Sequence, residues 1–396
     1  MVDVVVIGGG AAGMFAAIQA SERGAKVVVL EKSNKLLSKV RISGGGRCNV
    51  THQPMSVNEL VKHYPRGGKS LKHLFNQWRC EDTMAWFTER GVPLKIEDDG
   101  RVFPASDNSE DIIAALLKSA HNVDIRMKSA VTDIQHNKNG FSITINNDKT
   151  ISARRVIAAA GGSPKRSGLQ LWEKLGLPIV DPVPSLFTFN IKHAPLNDLM
   201  GLSVQDATVY LPEIKQQFSG PVLITHWGLS GPAVLKLSAF AARELANRQY
   251  QYKVRVQWIK DITHEEVLQS FNANKTMINN RPESIPKRLW QYLMERADMR
   301  PDIPFKALSK KEQNRMAEII INDTYSANGK STYKEEFVTA GGIALEAINL
   351  KTMEVKEIPG LYIAGELADI DGITGGFNFQ AAWATGVIAG SNQKLK

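Results

Sequence analysis

The chain begins with a buried-strand pattern. Val4 to Ile7 is an unbroken run of β-branched apolar residues, and glycines follow at Gly8, Gly10 and Gly13. Met14 to Ile18 then reads as helix, Gly24 closes it, and a second strand pattern from Lys26 to Leu30 ends at Glu31. Each part of this unit has a physical job. Gly8 permits a tight turn, Gly10 lets the backbone approach a pyrophosphate, and Gly13 lets helix and strand pack closely. The helix N-terminus faces the anion, and Glu31 stands where a carboxylate accepts hydrogen bonds from ribose hydroxyls. Three glycines alone are a weak signal; the flanking strand, helix and distal acid make it a dinucleotide site.

Further along, Lys32 to Thr51 lacks a clear period and reads as a long glycine-rich, basic loop. Helical patterns follow over Gly68 to Arg90 and Ser109 to Ser119. Val123 to Met127, Ala130 to His136, Phe141 to Ile145 and Thr150 to Ala160 read as strands, the last running into Gly161 and Gly162. The proline-rich Pro178 to Pro184 marks a boundary. Short alternating strands dominate Leu186 to Tyr252, and helical periodicity dominates Asp261 to Asn328, with capping-box spacings at Thr263/Glu266 and Ser309/Glu312. Ile285, Leu289, Trp290 and Leu293 fall on one helical stripe that reads as core. Glycine-rich α/β character returns from Val338. The expected fold class is α/β: a Rossmann-type domain made from both ends of the chain, residues 1–189 and 336–396. Into it are inserted a β-rich subdomain at 190–257 and a helical one at 258–335.

The C-terminal part repeats the strand, glycine turn and helix-start pattern. Leu361 to Ala364 ends at Gly365 and Glu366; Gly375 and Gly376 precede Phe377, Asn378, Phe379 and Gln380, with helix over Ala381 to Ile388. A helix start at Gly376 offers free N–H groups and a positive dipole end to a group that becomes anionic, such as a reduced flavin. Glu366 can bond ribityl hydroxyls. Ala160 and Gly161 form a third strand-to-glycine junction that passes close to a dinucleotide in such a two-ended domain.

Composition narrows the class. With 43% hydrophobic and 22% charged residues this is an ordinary globular chain, and no apolar run approaches the roughly 20 residues that span a bilayer. The opening strand leaves no room for a signal peptide, and Cys48 and Cys80 form neither a disulfide framework nor a metal spacing, so a cytoplasmic location is expected. The charge is unevenly spread. Between Lys32 and Cys80 ten Lys/Arg face the single acid Glu59, so this segment alone carries the +9 of the whole chain. It reads as a solvated face, partly a field for a phosphate-bearing cofactor, with nucleic acid as the weaker explanation.

Three residue sets point to one family: the Gly8, Gly10, Gly13 turn; the loop Ile42-Ser43-Gly44-Gly45-Gly46-Arg47-Cys48-Asn49; and Gly365-Glu366 with Gly375 to Gln380. Together with Thr225 to Pro232 they resemble the HI0933-like flavoproteins, the aminoacetone oxidase or BaiN-like family. The resemblance implies a glutathione-reductase-like FAD fold with β-barrel and helical inserts, and non-covalent FAD. It implies cofactor contacts at Gly8, Gly10, Ala11, Ala12, Glu31, Lys32, Arg47, Val131, Gly161, Gly365, Glu366, Asn378 and Gln380. Phe377 stands where Tyr is common and His52 where Asn is common. No metal is expected; Asp369 and Asp371 read as turn and flavin-side residues.

The expected chemistry is hydride transfer between a small molecule and flavin N5. Its positive neighbour is the Gly376 helix start, or Arg47 or Lys39 brought close by Gly45 and Gly46, with Arg41 and Arg47 at the pyrophosphate as an equal alternative. Arg47 and His226 are the candidate catalytic residues; His226 is a proton carrier over the flavin or simply a turn residue ahead of the helix at Pro232. Two directions stay open: oxidation of an amine or aminoketone, or reduction of an enone-like acceptor with NAD(P)H docking transiently. No second glycine fingerprint supports a dedicated nicotinamide domain. The alternatives are a tRNA-binding or tRNA-modifying flavoprotein and a flavin module without turnover. Oligomeric state is not legible.

Overall fold

The computed structural model describes residues 1–191, 195–331 and 338–392. They divide into two compact units. One is built from Met1–Pro184 and the C-terminal stretch, the other from the stretch that starts at Ser185.

In the first unit the strand Val2–Ile7 lies between Val27–Leu30 and Lys149–Ala158, parallel to both. Asp124–Arg126 extends the sheet beyond Val27–Leu30, and Leu361–Ile363 extends it beyond Lys149–Ala158, again parallel. Val27–Leu30 and Asp124–Arg126 therefore lie on one side of the first strand, while Lys149–Ala158 and Leu361–Ile363 lie on the other. Strand order reverses there, and the crevice outside the carboxyl ends of such strands is where open α/β sheets bind ligands. Val4, Val5 and Val6 are buried on both faces, as expected for parallel strands covered by helices. The hairpin strands Val131–Asn137 and Gly140–Ile145 attach to Lys149–Ala158 in antiparallel fashion.

Two helices cover the sheet at the crevice. Ala11–Glu22 and Phe377–Ser391 are apolar nearly all round and are buried accordingly. They approach so closely that a Cβ on Gly386 would lie 2.6 Å from the Ala12 carbonyl, and one on Gly390 2.4 Å from that of Ala16. Phe15 fills the space beyond, with ring centroids 4.4 Å from Trp86 and 5.0 Å from Trp383.

Several elements differ from expectation. The basic segment is not all loop: Ser38–Gly46 contains a helix that breaks at Ser43. Gly68 to Arg90 is interrupted, with helices at Lys72–Phe75 and Cys80–Glu89. The last helix begins at Phe377, four residues before Ala381, because the left-handed Gly376 (φ +86°) starts it.

Among the described residues, the second unit holds a seven-stranded sheet covered by helices. Gln251–Gln257 pairs with Ser203–Leu211 and with Asp323–Asn328, so the last part of the expected helical segment is strand. Both capping boxes form, at Thr263/Glu266 and Ser309/Glu312. Where the sequence reading divides this insert near residue 257, the structure packs strand and helix residues around one core that joins Val209, Leu237, Val254, Leu289, Trp290 and Met316.

Candidate cofactor-binding site

The glycine turn has the geometry its sequence requires. Gly8 has φ +107°, and a Cβ there would sit 2.4 Å from the Ala159 carbonyl; one on Gly13 would sit 1.9 Å from the Gly8 carbonyl. Gly10 instead faces open space, and no side chain caps the helix that starts at Ala11. A buried helix start without a side-chain cap has free N–H donors for an anion. The Glu31 carboxylate accepts from the Gly9 N–H (2.8 Å) and the Ser33 N–H (2.7 Å), and Leu37 N–H bonds the Gly9 carbonyl. Glu31 thus ties the following loop to the turn and retains lone pairs for ribose hydroxyls. Backbone bonds from Lys128 to Ser33 and from Ser129 to Glu31 bring the start of the Val131–Asn137 strand beside this carboxylate, while Lys32 is exposed.

The junctions after the neighbouring strands meet the same crevice. Ala160 lies against Gly8, Gly161 has φ +77° with open space at its Cβ position, and Gly365 (φ +70°) approaches Ala12 so that a Cβ would be 2.8 Å from its methyl group. Gly365 N–H donates to the Thr385 hydroxyl at 2.8 Å. Glu366 accepts from Lys39 Nζ at 2.6 Å and from Thr339 N–H at 2.8 Å, and its carboxylate stands over Gly162. Lys39 is therefore ion-paired across the crevice with a residue from the other end of the chain.

The loop that joins the two halves is left-handed at Gly44, Gly45 and Gly46 (φ +58°, +70° and +88°), and space is open at the Cβ positions of Gly45 and Gly46. Arg47 does not stand as a spare cation there. Its guanidinium donates to Glu97 at 2.6 Å and Asp107 at 3.3 Å, lies 3.9 Å over the Phe103 ring, and is held above its ordinary pKa chiefly by the Glu97 hydrogen bond. Arg41 pairs with Glu110. Cys48 is buried, which pushes its thiol up to about 12, so it packs as a small residue and not as a nucleophile.

At the start of the last helix, side-chain and backbone roles separate. Gly376 cannot carry a side chain, since its Cβ would be 2.3 Å from the Thr51 carbonyl, and the Asn49 amide oxygen accepts its N–H at 2.9 Å. Asn378 bonds Gly372 twice, accepting at 2.8 Å and donating at 2.9 Å. Gln380 is buried, accepts from Thr51 and Thr83, and donates to the Trp78 carbonyl. Phe379 stacks on Trp383. The side chains of Asn378, Phe379 and Gln380 thus build the turn; what this end offers a ligand is backbone N–H at an uncapped helix start.

Other contributors carry no recognisable spacing signal. The ring of Phe377 lies parallel to His52 and His63, at 4.8 and 4.2 Å, and Tyr64 OH donates to the Phe377 carbonyl at 2.7 Å. Arg66, which the sequence counts among surface cations, is buried in a two-pronged ion pair with Asp371. His226 belongs to the second unit. It occupies, with Trp227, the exposed turn between the strands Gln216–Thr225 and Gly228–Ser230, and Gly231 precedes the next helix, which starts at Pro232.

The crevice fits a dinucleotide: open space at Gly10 in front of a free helix start, an acid at the second strand end, and a second free helix start from the far end of the chain. The family model described as the HI0933-like protein Rossmann domain matches residues 2–392. The chain belongs to this family. It is accordingly an FAD-binding oxidoreductase. HI0933-like relatives include the ribosomal RNA dihydrouridine synthase of Escherichia coli strain K12, 29% identical over 97% of this chain and 96% of the relative. The 3-dehydro-bile acid delta(4,6)-reductase of Clostridium scindens is 27% identical over 97% of each. Among solved structures, a 3-ketosteroid delta1-dehydrogenase from Sterolibacterium denitrificans covers 99% of both chains with a TM-score of 0.52 and 13% identity, a likeness of fold alone. Among the described residues no helix is long and apolar enough to cross a membrane.

Proposed function

We propose that this HI0933-like chain is an FAD-dependent reductase that saturates a carbon–carbon double bond conjugated to a carbonyl, and that the bond lies in the uracil ring of RNA. The observation that carries the reading is chemical. A dihydrouridine is a uracil whose C5=C6 bond, conjugated to the C4 carbonyl, has been saturated. A 3-dehydro-delta(4,6) bile acid carries its double bonds in conjugation with a ketone. Two relatives that align end to end with this chain thus share one kind of acceptor. RNA is favoured within that class because four lysines of the basic segment, Lys32, Lys35, Lys69 and Lys72, have no acid paired with them among the described residues.

Bound FAD supplies the redox chemistry: reduced by NAD(P)H, it provides the hydride, and a solvent-derived proton completes the addition. The chain's own residues hold and orient it. The turn at Gly8 to Gly13 and the Ala11 helix start would hold the pyrophosphate, Glu31 would hold the ribose, and the Gly376 helix start would stabilise negative charge on the reduced ring. The Lys39–Glu366 pair lines the crevice between them.

The test is anaerobic. NADPH should bleach the flavin, and a uridine-containing RNA transcript should restore its colour, with a gain of about two mass units in the product, one hydride plus one proton. Bleaching followed by recovery only with a conjugated steroid ketone would move the assignment to the small-molecule reading favoured by the bile-acid relative. Reduction by an amine and not by NADPH would reject the reductase.

A further inference from the structure

The hairpin that carries His226 presents an aromatic side chain in an unusual state: fixed at its backbone and bare at its ring. Thr225 and Gly228 pair across the two-residue turn. The Thr225 hydroxyl accepts the Trp227 N–H at 3.2 Å and donates to the Gly228 carbonyl at 3.1 Å. From the neighbouring strand, Ile191 N–H bonds the Trp227 carbonyl at 2.8 Å. Gly228 (φ +139°) locks the approach, since a Cβ there would lie 2.3 Å from the Phe189 carbonyl. The tip is therefore anchored on three sides.

Its side chains are nevertheless in solvent. Trp227 is 50% exposed, while Trp86, Trp172, Trp258, Trp290 and Trp383 are all buried. The His226 ring lies 4.6 Å from the indole, tilted by 47°. Beside them Met200 is 58% and Leu223 36% exposed, and the Gly201–Ile224 backbone bond places Met200 next to the hairpin. Large apolar groups gathered on a rigid tip mark a binding surface.

We infer that Trp227, backed by His226, is a stacking platform for a nucleobase of the RNA substrate; this rests on the RNA reading proposed above. A preorganised indole with one open face suits a base of any identity, because every base has a π-face. The unit that carries Trp227, Ser185 to Tyr333, has 19 Lys/Arg against 14 Asp/Glu in its sequence, and this positive balance disfavours a second copy of the chain as the occupant and favours a polyanion whose bases are themselves aromatic.

The experiment uses the full chain with FAD bound and a short single-stranded oligouridine as probe, at low salt. Binding should quench the exposed-tryptophan fluorescence, and Trp227→Phe should abolish that signal while retaining affinity measured by anisotropy of the labelled oligonucleotide. Trp227→Ala should weaken binding roughly tenfold. Its far-UV circular dichroism and flavin content should match wild type, because the hairpin is pinned through backbone groups. Equal affinity of wild type and Trp227→Ala would overturn the platform and leave the RNA reading standing. No binding by wild type would remove the RNA reading and the platform with it. A shift of Trp227→Ala to a smaller sedimenting species would assign the patch to contact between copies and overturn the inference.

Discussion

At the scale of single residues, the site divides into positions where a side chain is forbidden and positions where it is committed elsewhere. Gly10 faces open space in front of the uncapped Ala11 helix start, so Gly10→Val should give a folded, colourless protein that does not take up FAD, as read by its visible spectrum. Gly13 is different: its Cβ would overlap the Gly8 carbonyl, so Gly13→Ala should lower stability itself, by about 1–3 kcal/mol as overpacking does. Arg47 is held by Glu97, Asp107 and the Phe103 face. Arg47→Ala should therefore reduce thermal stability while flavin absorbance persists; a colourless variant of normal stability would instead put the guanidinium on the cofactor. Cys48 gives a pH prediction. Burial raises its thiol from 9.0 to about 12 in the folded state. The stability linked to that neutral thiol is fully present below pH 9 and is lost as pH rises through 12. Urea midpoints should fall across the alkaline range more in wild type than in Cys48→Ala, and a thiol reagent at pH 8 should label the thiol only after unfolding.

At the scale of elements, two helices from opposite ends of the chain work as one support. Ala11–Glu22 and Phe377–Ser391 each point a free N-terminus toward the crevice, and their alignment depends on contact at Gly386 and Gly390. Gly390→Val should push them apart, costing about 1–3 kcal/mol and weakening FAD retention although residue 390 is about three and a half turns from the helix start. A thermal melt combined with a flavin dissociation constant would check both effects. The turn ahead of the last helix is fastened by the buried Arg66–Asp371 pair. Arg66→Met removes the guanidinium from the buried Asp371 carboxylate and should cost about 3–5 kcal/mol by chemical denaturation. The element most misread in the sequence, Lys32 to Thr51, explains itself here. Its helix is short and ends at Ser43, where three left-handed glycines follow, so no amphipathic period is long enough to register.

At the scale of the whole molecule, the charge seen in sequence is not the charge the surface shows. Acids from distant segments neutralise much of the basic run: Glu366 meets Lys39, Glu110 meets Arg41, Glu97 and Asp107 meet Arg47, and Asp371 buries Arg66. What is left for a polyanion is a smaller set of lysines. Affinity for single-stranded RNA should consequently fall about tenfold or more between 50 and 200 mM salt, and Lys69→Gln with Lys72→Gln should flatten that dependence without altering flavin content.

The sequence alone determined whatever depends on local backbone chemistry. The Gly8 to Gly13 turn, the acid at Glu31, the helix start at Gly376 and the capping boxes at Thr263 and Ser309 were legible because glycine geometry, N-terminal donors and short-range hydrogen bonds are written in spacing. Only the tertiary structure decided which long side chains were left for a ligand. Lys39, Arg47, Asn378 and Gln380 find partners up to hundreds of residues away, and His63, Tyr64 and Arg66 enter the site with no motif to announce them. The physical reason is that a polar side chain in a folded protein takes the best partner within a few ångströms, and the chain's path in space, not the order of its residues, sets who that partner is.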